Sequence, residues 1–125
     1  MSHILEASDG RNVTVNPWNW GVLHHLVASA GVLPEDRWQP LRWRARGDLT
    51  AEQVAILASF LQENVATRLR DGERMFVDGS VTTAPDDGTL YRTAAEQWKN
   101  YSLRRDVLER VIAFLQTVPG GLTVL

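Results

Sequence analysis

Three groups of side chains in this sequence could do chemistry, and each has an ordinary structural alternative. The first is acidic. Asp78 follows a short apolar run, Asp86-Asp87-Gly88 closes the polar stretch after it, and Tyr91 stands just beyond. If that stretch folds back, its carboxylates converge at a strand end. Oxygen donors there suit Mg²⁺ or Ca²⁺, and a carboxylate pair with separated pKa values suits general acid–base work. The spacing lacks the alternating acids and closing Glu of a helix–loop–helix calcium site. Asp-Gly and Pro-Asp-Asp-Gly also serve simple turns, because Asp bonds the amides that follow it and Gly takes positive φ.

The second group is basic. Arg42, Arg44 and Arg46 alternate with Leu41, Trp43 and Ala45, a period-two pattern that predicts an extended segment with one cationic face. Arginine beside tryptophan marks nucleic-acid grooves and protein hot spots alike. Pairing with Glu35, Asp36 and Asp48, or a charged edge strand that resists aggregation, is the structural alternative.

The third group is His24 and His25. Adjacent residues on a helix point about 100° apart and do not chelate one ion as an i, i+4 pair does. His24 flanks the apolar side, where a hydrogen-bonded structural role is expected, and His25 faces away.

Composition narrows the field. Thirteen basic and fifteen acidic residues give a net charge of -2, which draws the chain neither to phosphate backbones nor to anionic membranes. The lack of cysteine removes disulfides, thiolate nucleophiles and zinc–thiolate sites. There is no secretory signal and no apolar run approaching about 18 residues, so a cytoplasmic protein is expected. No Ser-His-acid order, phosphate-cradling glycine loop or dinucleotide fingerprint is present, and no stretch carries a family signature residue by residue. No cofactor and no metal set is expected. Five tryptophans in 125 residues are more aromatic area than a core of this size obviously needs, and tryptophan is enriched at interfaces.

The elements that must position these groups follow from periodicity. The chain suits one domain over 1–125, able to bury roughly two thirds of its unfolded surface. Asp9-Gly10 between two apolar runs predicts a hairpin over 3–7 and 12–15. Asn16-Pro17 opens a helix to Ala30, stopped by Gly31. Trp20, Leu23, Leu26, Val27 and Ala30 form its core face, leaving Trp18, Gly21, Val22 and His25 on the other side. Thr50 and Gln53 form a capping box for a long helix that Gly72 ends. Its stripe is Val54, Leu57, Ala58, Leu61, Val65 and Leu69, with Ile56 and Phe60 facing a second neighbour.

A strand over 74–77 follows. Thr93 and Glu96 suggest another capping box for a short helix to Asn100. The run from Gln97 to Ser102 either plugs the core with Trp98 while Tyr101 staples the next helix, or lines a pocket with the 78–91 loop. Ser102 caps a last helix over 103–117, with Arg105/Glu109 and Asp106/Arg110 spaced as ion pairs. Leu122 to Leu125 adds a strand. The expected fold is α+β, with three main helices and one or two short ones packed on a small, largely antiparallel sheet made from the hairpin, 74–77 and the carboxyl-terminal run.

The favoured function is a non-catalytic protein-interaction domain, immunity- or inhibitor-like, whose surface comprises Trp18, Val22, His25, Arg42, Trp43, Arg44 and Arg46. Its partner is a protein, with a second copy of the chain in a homodimer among the candidates; membrane and nucleic acid are not expected. The alternatives are a small-ligand or metal-dependent enzyme using Asp78, Asp86 and Asp87 with Tyr91 or His24 assisting, and anion or RNA binding through Arg42, Arg44 and Arg46.

Overall fold

A computed structural model describes residues 2–43, 46–85 and 88–125. The fold is α+β, with four helices and two small antiparallel sheets. The first sheet contains β1 (His3–Ala7), β2 (Asn12–Val15), β3 (Gly47–Leu49) and β7 (Leu122–Val124) in the order β2-β1-β7-β3. The carboxyl-terminal strand is therefore interior, pairing Leu5 with Val124 on one side and Leu49 with Leu122 on the other. Alternation puts Leu5, Ala7, Val13, Val15, Leu49, Leu122 and Val124 in the core, as expected of a sheet with one covered face. Gly121 feeds β7 so closely past Leu49 that a Cβ there would lie 2.5 Å from the Leu49 carbonyl oxygen.

The strand expected over 74–77 does not join this sheet. β4 (Arg74–Met75) lies between β5 (Val81–Thr82) and β6 (Leu103–Arg104) in a second sheet. That pairing moves the start of the last helix. Leu103 pairs with Met75 and is fully buried, so α4 begins at Arg105 and runs to Thr117. Ser102 is not its cap; the buried Ser102 hydroxyl accepts from Arg74 Nη1. Of the two expected ion pairs only Arg105–Glu109 forms, at 2.7 Å, whereas Asp106 pairs with Arg104 and Arg110 donates to the Thr14 carbonyl.

The capping box at Thr50 and Gln53 is present, and it starts α3 (Ala51–Phe60). The chain does not stay α-helical to Gly72. It widens into a π turn over Leu61–Val65, tightens into a 3₁₀ turn over Ala66–Arg68, and becomes extended at Leu69. Arg105 supplies a cause: its Nη1 donates to the carbonyls of Ala66 and Leu69, taking up acceptors that a helix end leaves open. Gly72, with φ of 80°, serves the turn after this irregular end. Phe60 packs partly on the core, but Ile56 is exposed, so only one of the two expected side contacts exists. Thr93 and Glu96 form a backbone turn rather than a capping box, leading into a 3₁₀ turn over Gln97–Asn100. Trp98 lies edge-on against Phe76 at the surface instead of plugging the core.

Asn16 caps α1 (Pro17–Ala30), with Pro17 at its first position and Gly31 left-handed after its end. Residues 19–24 of this helix are all buried. The outward face expected for Val22 is wrong for this reason: β6 and the connector after α2 (Glu35–Trp38) also cover the helix. Asn19 Oδ1 ties it to the second sheet by accepting from the Arg104 amide at 2.8 Å.

Among the described residues no helix is long and apolar enough to cross a membrane. Because Arg105 holds two carbonyls while Glu109 contributes a surface pair, Arg105→Ala is expected to cost about 1–3 kcal/mol and Glu109→Ala under about 0.5 kcal/mol. Urea midpoints measured side by side check this ordering, and equal losses would remove the helix-end role.

Candidate functional site

The most distinctive site grows from the connector between α1 and β3. Its backbone is held by ring N–H groups. Trp20 Nε1 donates to the Leu41 carbonyl at 2.8 Å, His24 Nε2 to that of Trp38 at 2.8 Å, and His3 Nε2 to that of Trp43 at 3.1 Å. Trp38 Nε1 returns a bond to the His24 carbonyl at 3.1 Å. A carbonyl only accepts, so both imidazoles carry their proton on Nε2. The rings also stack: His3 on Trp20 with centroids 4.9 Å apart, and His24 on Trp38 at 4.8 Å.

The expected strand over 41–46 is absent in its described part. A 3₁₀ turn spans Gln39–Arg42 and Trp43 lies in a turn; Arg44 and Ala45 are outside the described residues. In the turn Leu41 points inward beneath Gly47, where a Cβ would meet Leu41 Cδ2 at 2.6 Å. Trp43 points outward, with 69% of its surface exposed. The two residues therefore lie on opposite sides, contrary to the period-two reading.

Trp43 forms one wall of a pocket of about 630 Å³, lined also by Ser2, His3, Pro17, Arg42, Tyr101 and Leu125. The Arg42 guanidinium carbon lies 4.3 Å from the Trp43 ring centroid and 5.7 Å from that of Tyr101. Tyr101 in turn meets Trp18 at 5.1 Å, and Trp18 is 45% exposed. Gly21 lets this group close on α1, since a Cβ there would sit 3.0 Å from both Arg42 Nη2 and Tyr101 Cδ1. Among the described residues no carboxylate forms an ion pair with Arg42 or Arg46, so neither makes the expected pairing with Glu35, Asp36 or Asp48. Asp48 instead accepts from the Thr123 hydroxyl.

Burial pushes the pKa values of His3 and His24 below the ordinary 6.5, and the Arg42 charge adds to the effect. Both rings are therefore neutral near pH 7, and Arg42 is the charged side chain among the described lining residues. His3 Nδ1 is buried and has no hydrogen-bond partner among the described residues.

The sequence-predicted surface is thus only partly assembled. Trp18, Arg42 and Trp43 come together through Tyr101, which sequence reasoning placed either as a staple or beside the 78–91 loop. Val22 is enclosed in the core. His25 is exposed but bonds Ser29, and Arg46 is exposed without lining the pocket. Pro17, His3 and Leu125 were missed as pocket residues because strand register and chain crossing, not local spacing, bring them there.

The acidic loop has turn chemistry at its described end. Asp78 Oδ1 accepts from the Ser80 amide and hydroxyl, at 2.9 and 2.6 Å, and these bonds hold its carboxyl below the usual range. Tyr91 exchanges two backbone bonds with the Asn100 side chain. Asp86 and Asp87 are outside the described residues. Among the described residues no group of three metal-ligating side chains is found. Another cleft, about 380 Å³ beside α3 and α4, has neither an aromatic nor a cationic side chain in its lining.

Folding stability should respond to the buried histidines. Since their folded pKa values lie below 6.5, the unfolded chain takes up more protons as pH falls through 6.5, and stability present above that pH is lost below it. The urea midpoint should therefore be lower at pH 5.5 than at pH 7.5, with the difference reduced in His24→Gln; an unchanged midpoint would refute the neutral-histidine assignment. Comparison with protein-family models, with curated proteins and with solved structures found no match.

Proposed function

We propose that the protein is a small non-catalytic interaction domain, inhibitor- or immunity-like and cytoplasmic, which binds another protein through Trp18, Tyr101, Arg42 and Trp43. The observation that carries this reading is Trp43, held in place by its own carbonyl and by Arg42 yet 69% exposed. An exposed indole of that size has no evident role in the core. Its surroundings match the composition of binding hot spots, where Trp, Tyr and Arg dominate and cluster around a pocket. A ring already fixed by its neighbours loses little freedom on binding, which favours affinity. Anion or RNA binding through Arg42, Arg44 and Arg46 draws on the same cation, but a net charge of -2 disfavours a phosphate polymer.

The reading separates contact from stability. Trp43→Ala should change folding stability by under about 0.5 kcal/mol, as exposed substitutions do, while weakening partner binding about tenfold or more. A protein captured from cell extract by the immobilised chain, then purified and titrated against both forms, provides the measurement. Equal affinity for wild type and Trp43→Ala would rule the surface out, and sedimentation velocity on the chain alone identifies the case in which the partner is a second copy.

A further inference from the structure

Beneath the exposed indole lies Arg42, a cation with no ion-pair partner among the described residues. Resting on the interaction reading above, we propose that Arg42 receives the carboxylate of an acidic side chain on the partner protein, with an adjoining apolar residue filling the pocket between Trp43, Pro17 and Leu125. Among the described residues that line the pocket, Arg42 is the one with a charged side chain. Its guanidinium face is covered by Trp43 at 4.3 Å, and stacking of that kind leaves the in-plane N–H groups as donors. Among the described residues no side-chain or carbonyl acceptor bonds them, so they stand open for the two-point geometry that a carboxylate matches.

Burial of part of Arg42 makes the pairing selective. When a partner covers the pocket, an unanswered guanidinium loses its water and raises the cost of binding, so a neutral occupant is penalised. The rest of the described wall is mostly aromatic and aliphatic, from Pro17, Trp43, Tyr101 and Leu125, with Ser2 polar and His3 neutral near pH 7. A volume of about 630 Å³ exceeds what one carboxylate fills, which is why an apolar neighbour belongs to the recognised segment. One described cation beside a mostly apolar wall suits a single negative charge better than a phosphate dianion. Gly21 is part of the device, because its missing side chain is what allows Arg42 and Tyr101 to lie against α1.

Blocked pentapeptides with a central glutamate between two leucines, and the same peptide with glutamine, provide the probes. Binding is followed by the NMR shift of the Trp43 indole N–H, with the buried Trp20 indole N–H reporting that the fold is intact. The glutamate peptide should bind on the order of tenfold more tightly than the glutamine peptide, and Arg42→Gln should bring the two to equal, weak binding. Equal binding of both peptides by the wild type, a preference that survives Arg42→Gln, no shift of Trp43 with either peptide, or a saturable response to inorganic phosphate alone would each overturn the inference. If a purified protein partner is lost with Trp43→Ala yet bound normally by Arg42→Gln, the interaction surface stands and the carboxylate assignment fails.

Discussion

The arrangement of this protein depends on ring N–H groups holding a stretch of irregular backbone. The connector from Trp38 to Trp43 has no regular ladder to satisfy its carbonyls, and a buried carbonyl left unmade costs free energy comparable to a lost hydrogen bond. Trp20, His24 and His3 satisfy three of them, from two different elements. The same bonds decide which way the side chains go. With the carbonyls of Leu41 and Trp43 both turned to the interior rings, Leu41 falls into the core and the Trp43 indole is left outside, over Arg42. Structural chemistry in the core thereby creates the surface to which we assign function.

A second constraint operates at the other end of the molecule. Arg105 reaches from α4 to the carbonyls of Ala66 and Leu69, and the helix that began at Thr50 passes through wider and tighter turns before it reaches them. The cation joins two helices and lets the chain leave α3 toward β4. Both constraints use a side chain from one element to complete the hydrogen bonding of another, and neither has a local sequence signature.

What was legible shows where local physics is strong. The hairpin, the Asn16-Pro17 start, the Thr50/Gln53 box and the carboxyl-terminal strand all depend on contacts within a few residues or on simple alternation, and all are present. Trp18, Arg42 and Trp43 were singled out by residue type, which identified them without placing them. The errors have a common form. Val22 was assigned to an outer face because periodicity counts one buried side, whereas α1 is covered on more than one. Ser102 has the chemistry of a cap, but pairing of Leu103 with Met75 takes the backbone into a sheet. The alternation over 41–46 imitates a strand, but a 3₁₀ turn over Gln39–Arg42 buries Leu41 and leaves Trp43 exposed.

By itself, then, the amino-acid sequence determined the class of fold, the beginnings of its two larger early helices, the interior character of His24 and the net charge that disfavours phosphate polymers. Tertiary structure alone decided that 74–75 pair in a separate sheet, that Tyr101 meets Arg42, and that His3, Pro17 and Leu125 wall one pocket. The physical reason is range. Capping, turn chemistry and amphipathic periodicity act over a few residues, while the pocket joins side chains from positions 3 to 125 whose proximity exists only once the sheet register and the crossing of α1 are set.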